Sequence, residues 1–128
     1  MNLIKDSLPT TDTPPSLETY NPEVQLLKVL SHPVRLAILD ILREGEYCVC
    51  HIEAHLRCRQ SYISQQLALL RSAGLIQDHR EGWNIFYRVC DPRVYAALDA
   101  VQTITGGTIV DFHLKDVDCP CPKCQLEK

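Results

Sequence analysis

Apolar positions along the chain recur at helical period and are interrupted by proline and glycine. From Pro22 onward, Val24, Leu26, Leu27 and Leu30 form one apolar face, and Ser31-His32-Pro33 breaks it. Pro33 suits the first turn of a second helix, where the missing N–H costs nothing. That helix runs from Val34 to about Arg43, with Leu36, Ile38, Leu39, Ile41 and Leu42 mostly inward, and Gly45 ends it. Ile52 and Leu56, four residues apart, predict a short third helix over about Val49 to Leu56. A break at Arg57–Arg59 precedes a fourth helix, about Gln60 to Ala73. It buries Ile63, Leu67 and Leu70, and Gly74 stops it.

The period then changes. "LIQDH" and "NIFYRV" flank "REGW", and Ile85, Tyr87 and Val89 alternate with Asn84, Phe86 and Arg88, as in a half-buried strand. Glu81-Gly82 supplies the turn of this hairpin. "DPRVYAALDAVQTI" returns to helical period, with Asp91 as N-cap, Pro92 at the first helical position and Val94, Ala97, Leu98, Val101 and Ile104 as a stripe. Gly106-Gly107 ends it. These elements predict a mainly α chain with a small β-hairpin. Residues 1–21, polar and proline-rich, read as a flexible N-terminal arm; residues 22–105 form the folded unit; residues 106–128 form a C-terminal tail rich in cysteine.

Helix, tight break, helix and hairpin is the plan of a winged helix-turn-helix. The fourth helix would be the recognition helix. With its apolar residues inward, Gln60, Ser61, Tyr62, Ser64, Gln65 and Gln66 remain for the opposite side or the N-terminal tip, where amide and small polar groups suit base edges and phosphates. Arg59 and Arg71 can reach the DNA backbone, and Arg80 sits at the hairpin tip. The plainer alternative is a solvated polar face on an ordinary amphipathic helix. The formal net charge of −3 argues against nucleic acid until its distribution is considered. Residues 57–93 carry +3, whereas residues 1–56 carry −4 and residues 94–128 carry −2.

The segments "LKVLSHPVRLAILDIL", "CVCHI", "SYISQQLALLRSAGLI" and "REGWNIFYRV" together resemble the ArsR/SmtB family of metal-sensing repressors, over roughly Pro22 to Ile104. Gln66 departs from the histidine common in the family, in a stretch expected to face DNA. The resemblance implies a homodimer that reads an inverted repeat in double-stranded operator DNA and releases it when a ligand binds. It also implies that the first and last helices form the dimer interface, which places Val94, Leu98, Val101 and Ile104 there.

No apolar run approaches the ~18 residues of a membrane span, and the N-terminus lacks the charged and apolar regions of a secretory signal. A reducing cytoplasm is the expected setting. There, seven cysteines point to metal or redox chemistry rather than disulfides. Cys48 and Cys50 are two residues apart and share no helical face, so both can ligate one ion only if Cys48 lies at or before the helix start. A helix N-terminus also favours the thiolate. In the family, "CVC" at this point marks a metal site completed by cysteines from elsewhere. This chain has no cysteine before Cys48, and Ile52 stands where arsenic sensors often carry a third. Cys119, Cys121 and Cys124 of "CPCPKC" supply the replacement, unless that tail is a fortuitous cluster. Three thiolates suit As(III) or Pb(II), and four suit Cd(II) or Zn(II).

Cys58 and Cys90 are expected as small buried fillers. His51 and His55 read as partly exposed, His79 as a phosphate or solvent contact, and Asp111-Phe112-His113 comes too late for the family's zinc site on the last helix. A metal-responsive repressor is the leading expectation, with a thiol-redox or persulfide sensor of the same fold as the alternative. A constitutive DNA binder with structural zinc is a further one. Nothing in the chain supplies the substrate cradle a thiol enzyme needs.

Overall fold

The computed structural model describes residues 15–107. The proposed tail ligands Cys119, Cys121 and Cys124, Asp111 to His113, and the first fourteen residues of the expected arm lie outside that range. The described elements are α1 (Pro15–Glu18), α2 (Asn21–Leu30), α3 (Pro33–Leu42), β1 (Tyr47–Cys48), α4 (Val49–Leu56), α5 (Gln60–Ser72), β2 (Ile76–Glu81), β3 (Asn84–Val89) and α6 (Arg93–Thr105). No helix among them is long and apolar enough to cross a membrane.

Each helix boundary has a local cause. His32, extended in backbone, accepts the Val34 N–H on its Nδ1 at 3.1 Å, while Pro33 occupies the first turn of α3. Arg57 closes α4 in the left-handed region at φ 55°, its N–H donating to the Glu53 carbonyl at 2.8 Å. α5 ends at Gly74, whose φ of 79° no β-branched residue would accept. α6 begins one residue later than its sequence suggested. Pro92 is the cap position, and the Asp91 carboxylate accepts the Arg93 N–H at 3.0 Å.

The helices pack around Ile38, Leu39, Ile41, Ile52, Ile63, Leu67 and Leu70, none of them solvent-accessible. Each such side chain contributes about 1.5–3 kcal/mol of burial. α6 is tied to α3 by polar contacts as well. The Tyr95 hydroxyl donates to the Leu39 carbonyl at 2.6 Å, the Arg43 guanidinium lies 4.3 Å from the Tyr95 ring centre, and Arg43 pairs with Asp99 at 3.0 Å.

The sheet has the antiparallel order β1-β3-β2. β1 was not expected: two residues that pass straight into a helix carry no periodic signal. The turn is Gly82-Trp83 rather than Glu81-Gly82, because Glu81 still pairs with Asn84. Gly82, at φ 61°, supplies the one positive φ that a two-residue hairpin of this kind needs. The simple alternation expected of β3 also fails. Tyr87 packs into the main core, but Phe86 on the opposite face is just as buried, forming a second small cluster with Cys48 and Cys50.

The stripe on α6 divides. Val94 is buried in the protomer's own core, a correction to its expected place at the dimer interface, and Leu98 is half-buried against that core. Val101 and Ile104 are 51% and 82% exposed, and Val24, Leu26 and Leu27 of α2 are exposed too.

Candidate DNA interface and thiolate site

α5 presents Gln60, Ser61, Tyr62, Ser64 and Gln65 to solvent, with Arg59 exposed just ahead of its first turn. Gln66 does not join them. It is 7% exposed, because Ile63, Gln66, Leu67 and Leu70 occupy positions i, i+3, i+4 and i+7. That spacing was legible in the sequence, and amide polarity hid it. The Tyr62 hydroxyl lies 3.2 Å from His32 Nε2, which links the exposed tip of α5 to the start of α3.

The hairpin projects beyond α5. Arg71 pairs with Asp78 at 3.4 Å, fastening the helix to the base of β2. Arg80, two residues further along the same strand face, remains exposed near the tip. Trp83, the chain's single tryptophan, is 96% exposed at the turn itself. It was not singled out in the sequence, where a single exposed aromatic is no signal by itself.

Cys48 closes β1 and caps α4 with extended backbone, φ −80° and ψ 161°, and Cys50 lies in the first turn. The sequence requirement that Cys48 precede helical backbone is therefore met. Their sulfurs approach to 2.7 Å. Cys48 is 1% exposed beneath Phe86, while Cys50 is half-buried. Two sulfurs on one tetrahedral ion at a bond length of about 2.3 Å stand about 3.8 Å apart. Ligation thus needs them to part by about 1 Å, a shift that falls to the half-buried Cys50 more readily than to the buried Cys48. Once parted, the pair at the start of α4 could supply two ligands to a soft ion.

The histidines near this stretch depart from their expected places. His51 is buried, not partly exposed, and stacks on Tyr47 with ring centres 4.8 Å apart; His55 follows at 5.2 Å. Burial, with His51 as a second cause, pushes the His55 pKa down. His79 does not stand ready for phosphate. Its Nδ1 is 2.9 Å from Glu46 and its Nε2 3.2 Å from Glu81. Two carboxylates around it repel an anion. Cys58 is half-buried against the core, as a filler would be, but Cys90 is exposed at the end of β3.

The profile described as "Bacterial regulatory protein, arsR family" matches residues 32–78, from the α3 cap through α5 into β2. A "Biofilm growth-associated repressor" of Agrobacterium fabrum is 41% identical over 91 residues, covering 70% of this chain and 78% of that one. The chain belongs to the ArsR/SmtB family. Its members are DNA-binding transcriptional regulators, not enzymes, and α4, α5 and the β2–β3 hairpin form the winged helix-turn-helix. The "HTH-type transcriptional repressor SmtB" of Mycobacterium tuberculosis is 37% identical, covering 73% of this chain and 70% of that one. Among solved structures, the "homodimeric winged helix-turn-helix DNA-binding domain" of Mb0332 from Mycobacterium bovis superposes with a TM-score of 0.64. It is 27% identical and covers 74% of this chain and 88% of that one.

Proposed function

We propose that this protein is a cytoplasmic, homodimeric repressor. It holds operator DNA through α5 and the wing and releases it when a soft ion, As(III), Cd(II), Pb(II) or Zn(II), binds its thiolates. The observation that carries the reading is the convergence of Cys48 and Cys50 at the start of α4. Only Arg57 to Arg59 separate α4 from α5, so a pull on one helix moves the other. The exposed Val101 and Ile104 on α6, with the apolar face of α2, supply the dimer surface. The proposed organisation is an arm at 1–21, a DNA-binding and dimerisation unit at 22–105, and a ligand tail at 106–128 whose Cys119, Cys121 and Cys124 complete the ion's coordination.

In a dimer the separation of the two α5 helices must match the spacing of operator half-sites, so a small rotation loses contacts on both. A 100-fold loss of DNA affinity corresponds to a coupling of about 2.7 kcal/mol, and DNA must weaken ion binding equally. The test is fluorescence anisotropy of labelled operator during ion titration under reductant, with the sulfur charge-transfer band read in parallel. Release at one ion per site is expected. A band without release would leave a metal protein that is no ion sensor.

The second reading, a thiol-redox or persulfide sensor, draws support from the sulfurs' 2.7 Å approach, already shorter than the bite of an ion. Here Cys48 and Cys50 would lose two hydrogens to an oxidant and join. The same anisotropy assay separates the two: release by oxidant or persulfide, with no response to ions under reductant, favours this one.

A further inference from the structure

A row of side chains crosses the outer face of the sheet. Cys48 pairs with Phe86, and Phe86 pairs with His79, so the three stand side by side on β1, β3 and β2. The His79 ring stacks on Phe86, with centres 5.6 Å apart and planes 23° from parallel. Glu46, just before β1, and Glu81, near the end of β2, reach the two edges of that ring. One ligand atom from each of Glu46, His79 and Glu81 can be chosen so that all lie within 4.8 Å of one another.

We propose that Glu46, His79 and Glu81 bind a borderline divalent cation, with Zn(II) as the type, at a site separate from the thiolates. A neutral imidazole donates through one nitrogen only. Both of its nitrogens face carboxylate oxygens here, so one of the two contacts requires a positive charge at the ring, either a second ring proton or a bound cation. Ligands bound side by side on an ion at about 2.0–2.1 Å stand roughly 3 Å apart; the three ligand atoms lie within 4.8 Å of one another, so one carboxylate must swing from its own ring edge toward the nitrogen that holds the ion. One imidazole nitrogen and two carboxylates select Zn(II), Co(II) or Ni(II) over the all-sulfur preferences of As(III) and Pb(II). Phe86 holds the ring's orientation, so little order is lost on binding, and the partial exposure of His79 and Glu81 leaves positions for water. The bound ion would tie the residue that leads into Cys48 to the strand that carries the wing. The chain would then read two classes of cation on one sheet face.

Co(II) titration of the full chain under reductant tests this, because sulfur-bound Co(II) gives a near-ultraviolet charge-transfer band and an imidazole–carboxylate site gives only weak visible bands. Equilibrium dialysis should find one Co(II) per chain beyond the number that saturates the sulfur band. Glu81→Gln, an exposed change that spares the fold, and His79→Ala should each lose that equivalent and leave the sulfur band intact. The double variant Cys48→Ser/Cys50→Ser should keep it. The assignment is overturned if the total equals the sulfur-bound count, or if the extra equivalent survives in both Glu81→Gln and His79→Ala.

Discussion

The two faces of the small sheet differ in what they do with similar strand residues. The inner face carries Ile76, Tyr87 and the half-buried Ile85 into the main core, against the α5 residues Leu67 and Leu70. The outer face carries Cys48, Phe86 and His79, sealed by one aromatic ring and edged by carboxylates. Removing apolar volume from the first leaves a cavity that many neighbours share. Changing a polar or sulfur atom on the second alters chemistry and leaves the packing nearly intact. On the proposed function, the same three strands would separate stability from response, one on each side.

The sharpest break of that separation is on the inner side. Leu67→Ala should lower stability by about 2–5 kcal/mol, read as a shift of the urea midpoint with an unchanged slope. A loss under 1 kcal/mol would mean that the core collapses around the gap and the inner face is not what holds the domain. On the outer side, Cys48→Ser with Cys50→Ser should leave operator affinity within about threefold of the parent while removing an ion response expected to be near 100-fold, or about 2.7 kcal/mol. If this variant melted as badly as Leu67→Ala, the outer cluster would be structural.

Side chains outside these two clusters sharpen the contrast at lower cost. Gln65→Ala should weaken operator binding by about 1–3 kcal/mol and relax preference at one base pair. Arg80→Ala should weaken specific and random duplex alike and flatten the salt dependence by about one ion. Neither should change ion affinity in the absence of DNA. Trp83, the single tryptophan, lets intrinsic fluorescence follow the wing directly, and an emission unchanged by operator would place the wing away from DNA.

The smallest effect is expected in acid. Hydrogen bonds from Arg93 hold the Asp91 carboxyl at about 2, below its ordinary 3.8. A depressed carboxylate stabilises the fold above its ordinary pKa, and the contribution fades as pH falls from about 4 to about 2. Because the pair is fully exposed, Asp91→Asn should only slightly flatten the acid limb of the helicity curve. A large change there would mean that the start of α6 is held more tightly than its exposure suggests.

The recognition helix, the wing and the thiol pair were legible because each leaves a local mark: a 3.6-residue stripe, a period of two around Gly82, and two cysteines at a helix start. Gln66 and His51 were misplaced because burial follows the helix face a residue occupies rather than its polarity. Val94 was assigned to a partner because a stripe records only that something covers it. Cys90, expected inside, is exposed just past the end of β3.

The sequence by itself determined the order of α2 to α6 and the hairpin, the stops at Gly45, Gly74 and Gly106, and the non-helical start at Cys48, since these depend on neighbours a few residues apart; the short α1 lies in the stretch read as a flexible arm. Only the tertiary structure decided that Cys48, Phe86 and His79 stand in one row and that Glu46 meets Glu81 around the same imidazole. Those residues are up to 40 positions apart in the chain. Strand register, fixed by the fit of the inner face to the core, is what brings them together.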